Sequence, residues 1–331
     1  MDTIQTQQIF FNQIRSQLPG YISFVEEIAT QLDISTDSAY RRIRGEKPLS
    51  LDEVQILCSA FNISVDQIFQ VRSNNFIFSG NMVDNMDFGL EKYLEDITHT
   101  LEMFKTIPDV HLYYYNKDIP IFHHMQFAEL SAFKFFFWKR TVMGYPELAR
   151  IQFSADLVNR DAFRKAAHIM ELYNQLPSTE IWNEENVHST IRQIEFYRQS
   201  NVFANPDILQ TLYSQLEELL NHLQLQAEAG RKFGLNRMVL PTSQPYSIYV
   251  NECLIGDNTI FVNGNGRQIA YLNHNGLNFL GTHDKAFCGY TYKNMQNIIR
   301  KSTQISVAGE KERSMFFNTL RDKIYERRKS I

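Results

Sequence analysis

The chain has 331 residues, 44% hydrophobic and 13% aromatic, with a formal charge of −4 at pH 7. This is enough for two or three domains with real cores, and it excludes extended disorder. No run of 18 apolar residues occurs, and the densest cluster, Phe133 to Trp138, is interrupted by Lys134, which excludes a membrane-spanning helix on sequence grounds.

Met1 to Gln5 lack the basic-then-apolar layout of a signal peptide, so the expected location is cytoplasmic. Cys58, Cys253 and Cys288 are odd in number and widely spaced, which speaks against a disulfide framework or a zinc finger. Cys58 is expected in a core with Val54, Leu57 and Phe61.

In chain order, Ile4 to Leu18 places Ile9, Phe10, Ile14 and Leu18 at helical spacing, and Pro19-Gly20 ends the pattern. Three Ser-x-x-Glu/Gln boxes follow, at Ser23–Glu26, Ser50–Glu53 and Ser64–Gln67. In each, serine and the acid or amide satisfy reciprocal backbone donors at a helix start. A further helix fits between the first two. Ser35 caps it, Asp37 lies in its first turn, Arg41, Arg42 and Arg44 lie near its end, and Gly45 stops it. The result is a five-helix all-α head.

Phe24 to Gly45, with Ile28-Ala29, Leu32, Ile34-Ser35, Ala39 and then Leu57, Phe61 and Ile63-Ser64, resembles the phage-repressor/Cro-type (XRE) DNA-binding family. The resemblance covers residues 5 to 70 or so. It implies a helix-turn-helix whose third helix enters the major groove of double-stranded DNA. Carried over by position, it implies base reading by Thr36, Asp37, Tyr40 and Arg41 and phosphate contacts from Ser38, Arg44 and Lys47. Arg41 is the leading candidate, because a guanidinium can pair with guanine twice. Two positions differ from the family pattern. Val25 stands where a glutamine is common, and Arg42 stands where an apolar residue is common, so Ile43 is expected to pack inward with Ala39.

Residues 1–72 hold six basic and nine acidic side chains, so this is not a basic domain. Four of the six cations fall between 41 and 47 with only Glu46 opposing them, a local patch of +3 at the expected DNA face.

Beyond Gln70, Ser73-Asn74-Asn75 and Ser79-Gly80-Asn81 read as a linker. A helix from about Asp87 to Thr106 carries Leu90, Leu94, Ile97, Leu101 and Phe104 and is expected to connect head and body. Val110 to Phe122 reads as strands, with a turn at Asn116-Lys117-Asp118. Helices are expected from Gln126 to about Gly230. Within them Leu209, Leu212, Leu216, Leu219 and Leu223 follow a 3-4-3-4 spacing, which suits either a helix packed in its own domain or a dimer seam. Strands return at Tyr246 to Asn251 and in a hairpin of Thr259–Asn263 and Gln268–Asn273 about Gly264-Asn265-Gly266. Helices at Tyr292–Lys301 and Glu310–Lys329 follow, the last rich in lysine and arginine.

The expected architecture is therefore multidomain: a helix-turn-helix domain over 1–71, a linker and connecting helix over 72–106, and a larger α+β body over 107–331. The body is expected to be mostly helical with a C-terminal hairpin or small sheet. Its 25 Phe and 16 Tyr could line an effector pocket or fill ordinary cores.

Enzymatic readings are weak. On a strand, His123 and His124 would point to opposite sides. His274, His283, Asp284 and Cys288 fit no ligand spacing, and no nucleotide loop or nucleophile elbow occurs, so no cofactor is expected. The leading expectation is a cytoplasmic, homodimeric transcription regulator that binds double-stranded DNA, with an unidentified small-molecule or protein effector. The rivals are an interaction protein whose head binds a protein partner and an enzyme fused to a DNA-binding head.

Overall fold

A computed structural model describes residues 3–18, 23–61, 63, 76–80, 89–157, 159–253, 256–274 and 276–329. The helix expected from Ser64, the linker residues Ser73–Asn75 and Pro19-Gly20 lie outside these. The chain divides into two compact units, 1–77 and 78–331.

The first unit contains helices α1 (Thr3–Gln17), α2 (Phe24–Leu32), α3 (Thr36–Ile43) and α4 (Leu51–Ala60). Phe10, Phe11 and Ile14 of α1 pack with Ile28, Ala29, Leu32, Ala39, Leu57 and Ile63, while Ile9 faces solvent, so Phe11 takes the place expected of Ile9. Ile43 and Cys58 are partly buried against this core. The caps divide. Ser50 and Glu53 form the reciprocal box, whereas Ser23 starts α2 without any side-chain cap bond, and Ser35 accepts from Ser38 N at 3.3 Å. One of the two described boxes is thus absent, and α2 begins through the backbone bond from Glu27 to Ser23 instead.

The second unit is an α+β body on a seven-stranded mixed sheet, larger than the hairpin or small sheet expected. Its strands are β1 (His111–Tyr115), β2 (Ser178–Trp182), β3 (Tyr246–Val250), β4 (Thr259–Gly264), β5 (Arg267–His274), β6 (Asn278–Thr282) and β7 (Thr303–Gln304), in the order β6-β5-β4-β1-β2-β3-β7. β1, β2 and β3 are parallel neighbours, and the remaining pairs are antiparallel. The helices are α5 (Leu90–Lys105), α6 (Ile121–His124), α7 (Ala128–Phe137), α8 (Arg160–Asn174), α9 (His188–Gln199), α10 (Asp207–Ala229), α11 (Lys285–Arg300) and α12 (Glu310–Arg328). The expected hairpin forms with Gly264 opposite Arg267. Asn265 and Gly266 turn it with φ of 40° and 75°, angles suited to these residue types.

Side-chain alternation divides the sheet faces. Tyr113 and Tyr115 of β1 and Ile181 of β2 meet α11 through Cys288 and Met295. Leu112, Tyr114, Glu180 and Trp182 point to the other face, which the larger set of helices covers. The Val110–Phe122 strand reading holds only for His111–Tyr115. Pro120, with its fixed φ and no N–H to give a ladder, instead opens α6. α5, expected as a connector, buries Leu90, Leu94, Leu101 and Phe104 in the body core.

The five leucines of α10 are all at most 3% exposed inside this core. The dimer-seam reading is therefore corrected: the stripe holds α10 to the rest of its own unit and offers nothing to a second copy. No described helix is long and apolar enough to cross a membrane.

Below Tyr114 the body buries a polar network. Glu180 accepts from His123 Nε2 at 2.9 Å, from the Tyr173 hydroxyl at 2.6 Å and from Trp182 Nε1 at 2.7 Å. Lys232 Nζ donates to the Tyr173 carbonyl at 2.9 Å and lies over the Tyr173 ring. Burial would raise the Glu180 carboxyl, but His123, Lys232 and Tyr173 outweigh it and hold it at about 2. Burial lowers Lys232 to about 7 despite Glu180.

Burial likewise lowers His222 to about 4 and takes His124 well below its ordinary value. Between pH 6.5 and 4 the unfolded chain binds protons at these rings that the fold refuses, so stability falls on acidification through that window. The expected result is a loss on the order of 1–2 kcal/mol from His222 alone between pH 7.5 and 5. Thermal unfolding at the two pH values checks this, and equal or greater stability at pH 5 would refute it.

Candidate nucleic-acid interface

The interface is built on α3. Asp33, at φ 51°, ends α2, and Ser35 starts α3, so the turn between them is short. Ala39 and Ile43 point into the head. Thr36, Asp37, Tyr40, Arg41 and Arg44 lie exposed on the opposite face at helical spacing, with Lys47 exposed just beyond. Ser38 is half-buried, its hydroxyl accepting from Ser35 at 3.1 Å. Six of the seven residues singled out from the sequence thus lie exposed on or just beyond one helix face, while Ser38 sits on the side of α3 that carries the inward-turned Arg42.

The end of α3 is shaped by its glycine. Gly45, at φ 79°, donates to the Arg42 carbonyl at 2.9 Å and Glu46 donates to the Arg41 carbonyl at 2.9 Å, the paired bonds of a Schellman stop. This brings the Glu46 carboxylate between two guanidiniums: Oε2 is 3.7 Å from Arg41 Nε and Oε1 is 3.8 Å from Arg44 Nη1. Arg44 also lies over the Tyr40 ring at 4.4 Å and donates to its hydroxyl at 2.8 Å.

Arg42 is only 5% exposed. Its Nη2 meets Glu53 Oε1 at 2.5 Å, its Nε donates to Glu53 Oε2 at 3.1 Å, and its Nη1 donates to the Ser38 carbonyl at 3.2 Å. Glu53 Oε2 also accepts from Ser50 N at 3.0 Å, so one carboxylate caps α4 and anchors α3. The Arg42 hydrogen bond holds the Glu53 carboxyl below its usual range. The +3 patch expected over 41–47 is reduced accordingly, since Arg42 is turned inward and only Arg41, Arg44 and Lys47 face solvent against Glu46.

From α1, Gln7 Nε2 donates to the carbonyls of Arg42 (2.6 Å) and Lys47 (2.8 Å), and its Oε1 accepts from Leu49 N at 3.0 Å. Sequence reasoning missed Gln7 and the Arg42–Glu53 pair, and it counted Glu46 only as an opposing charge without placing it between Arg41 and Arg44. The one signal for the pair was an arginine in an inward slot, which requires a buried acid.

The other candidates disperse. His123 and His124 lie on α6, not on a strand, and His124 Nε2 meets Thr190 at 3.0 Å while His123 meets Glu180. Asp284 caps α11 through Phe287 N at 2.8 Å. The Cys288 thiol is buried against the carbonyls of Gln268 and Thr282. Among the described residues no group of three or more His, Cys, Asp or Glu gathers to hold a metal. The basic run of α12 is largely engaged within the body: Arg313 with Ile305, Arg321 with Asn221 and Gln224, Lys323 with Glu184, and Arg328 with Gln210.

Residues 7–87 match the family model of the BetR domain, an N-terminal helix-turn-helix DNA-binding domain found in transcription regulators. The match takes in α2, α3 and α4 and α1 from Gln7 onward, and runs past residue 77. No curated protein and no solved structure matches the chain.

Proposed function

We propose that this protein is a transcription regulator that reads a two-fold operator as a homodimer and that its body relays an effector. The observation that carries the reading is the exposed row Thr36, Asp37, Tyr40 and Arg41 on a helix held from behind by Ala39, Ile43 and the Arg42–Glu53 pair. The BetR match supports it.

Pairing follows from energetics. Arg41, Arg44 and Lys47 are the solvent-facing cations of the 41–47 patch, so one head neutralises few phosphates and binds weakly, whereas two heads about one helical turn apart multiply the affinity. The pairing surface lies elsewhere than the buried leucines of α10. The place to look for an effector is a half-open, mostly apolar depression of about 160 Å³ in the body, lined by Leu90, Ala132, Phe135, Phe136, Lys139 and Phe163.

Binding to genomic DNA fragments across a salt series tests the reading. Affinity falling steeply as salt rises supports phosphate contact, whereas salt-independent capture of a protein partner would overturn it in favour of an interaction scaffold. Arg41→Ala is expected to cost about 1–3 kcal/mol and to relax preference at one base pair. An equal loss on every sequence would show that Arg41 meets only phosphate.

A further inference from the structure

We infer that Glu46 is a positioning residue for base reading, one that aims Arg41 at the groove. The inference rests on the DNA-reading function proposed above and adds an acid to it.

A guanidinium has a side-on edge, Nε with one terminal amine, and an end-on edge formed by both terminal amines. Bidentate pairing with guanine O6 and N7 engages two donors at once. Glu46 approaches Arg41 on its Nε side, Oε2 being 3.7 Å from that atom, so the acid stands nearer the side-on edge than the end-on edge that would meet a base. The second carboxylate oxygen stands 3.8 Å from Arg44 Nη1, and Arg44 is itself fixed over Tyr40 by its hydrogen bond to the hydroxyl. Glu46 therefore bridges two guanidiniums, and through Arg44 the bridge reaches Tyr40.

The backbone holds the acid in this place. The Schellman stop seats Glu46 N on the Arg41 carbonyl, one turn from the guanidinium it faces, and Gly45 supplies the positive φ that the stop requires. A carboxylate on a DNA-facing surface opposes the phosphates. It weakens binding to any sequence, and the weakening is offset only where Arg41 finds its base.

These two effects separate the roles of Glu46. As a charge alone it lowers affinity for all DNA by one factor. As a positioning group it also sharpens the choice at the base pair that Arg41 meets.

The test uses full-length protein, the operator selected from genomic DNA, the same operator altered at the base pair sensitive to Arg41→Ala, and a scrambled duplex. Glu46→Gln removes the charge and keeps the size. It is expected to tighten binding to the scrambled duplex several-fold and to lower the operator-to-altered-operator ratio by about two- to fivefold, the range open to an exposed ion pair. Because the Glu46 side chain is about half exposed, its loss is expected to leave the unfolding temperature of the head nearly unchanged. In the Arg41→Ala background, Glu46→Gln is expected to leave the ratio where Arg41→Ala alone sets it. Equal tightening on all three duplexes, with the ratio unchanged, would overturn the positioning role while leaving DNA reading intact. A native protein that selects no operator would overturn the proposed function, and this inference with it.

Discussion

Arg42→Ala is expected to destabilise the head by about 3 kcal/mol, the low end for breaking a buried ion pair because the Glu53 side chain keeps 18% exposure. Three bonds leave with the guanidinium, two to Glu53 and one to the Ser38 carbonyl. Glu53 then faces the core side of α4 with only its cap bond to Ser50. For a head of this size the loss corresponds to a fall in unfolding temperature of more than about 10 °C. Exposed Arg41 and Arg44 serve as controls, since truncating either is expected to change stability by about 0.5 kcal/mol or less. Acidification acts on the same pair. Because Glu53 titrates lower in the fold than in the unfolded chain, the stability it lends is present above its ordinary pKa and is lost as pH falls below it. Thermal unfolding of the variant decides the matter, and a change as small as that of the controls would show that the pair contributes nothing.

Glu180→Gln is expected to cost the body about 3–5 kcal/mol. The native carboxylate is fully buried and accepts from His123, Tyr173 and Trp182 at once. A glutamine fills the same volume but presents an amide N–H₂ to at least one of those donors, and it leaves buried Lys232 without a countercharge. Denaturant unfolding of the variant should show a lower midpoint for the body, with the head transition unmoved. A loss under about 1 kcal/mol would mean that the network contributes little beyond its packing.

The head was legible because its signals are local. Ser50 with Glu53, Ser35 with Asp37, and Gly45 each act within one helical turn, so spacing alone places α3 and α4. Ser23 shows the limit, since its box has the right letters and α2 starts without it. The exposed row from Thr36 to Arg41 followed from helical period and resemblance. The groups that brace it did not, because Gln7 and Glu53 reach α3 and its following loop from 35 to 42 and from 11 residues away.

The body was less legible for the same reason. β2 reads Ser-Thr-Glu-Ile-Trp, with no apolar alternation, and all five residues are buried. Its place between β1 and β3 depends on donors from α6 and α8 that satisfy Glu180, which no local pattern announces. The leucines of α10 left two readings open, because a 3-4 spacing marks an apolar stripe and does not say which surface covers it.

Whether the α3 face reads DNA sequence is tested most directly by incubating the full-length protein with fragmented DNA from its own genome at near-physiological salt and sequencing what it retains, with Arg41→Ala run alongside. Enrichment of a two-fold motif by the native protein, lost or broadened at one base pair in the variant, is the expected result. The same motif from both proteins, or none from either, would contradict base reading by Arg41 on this helix.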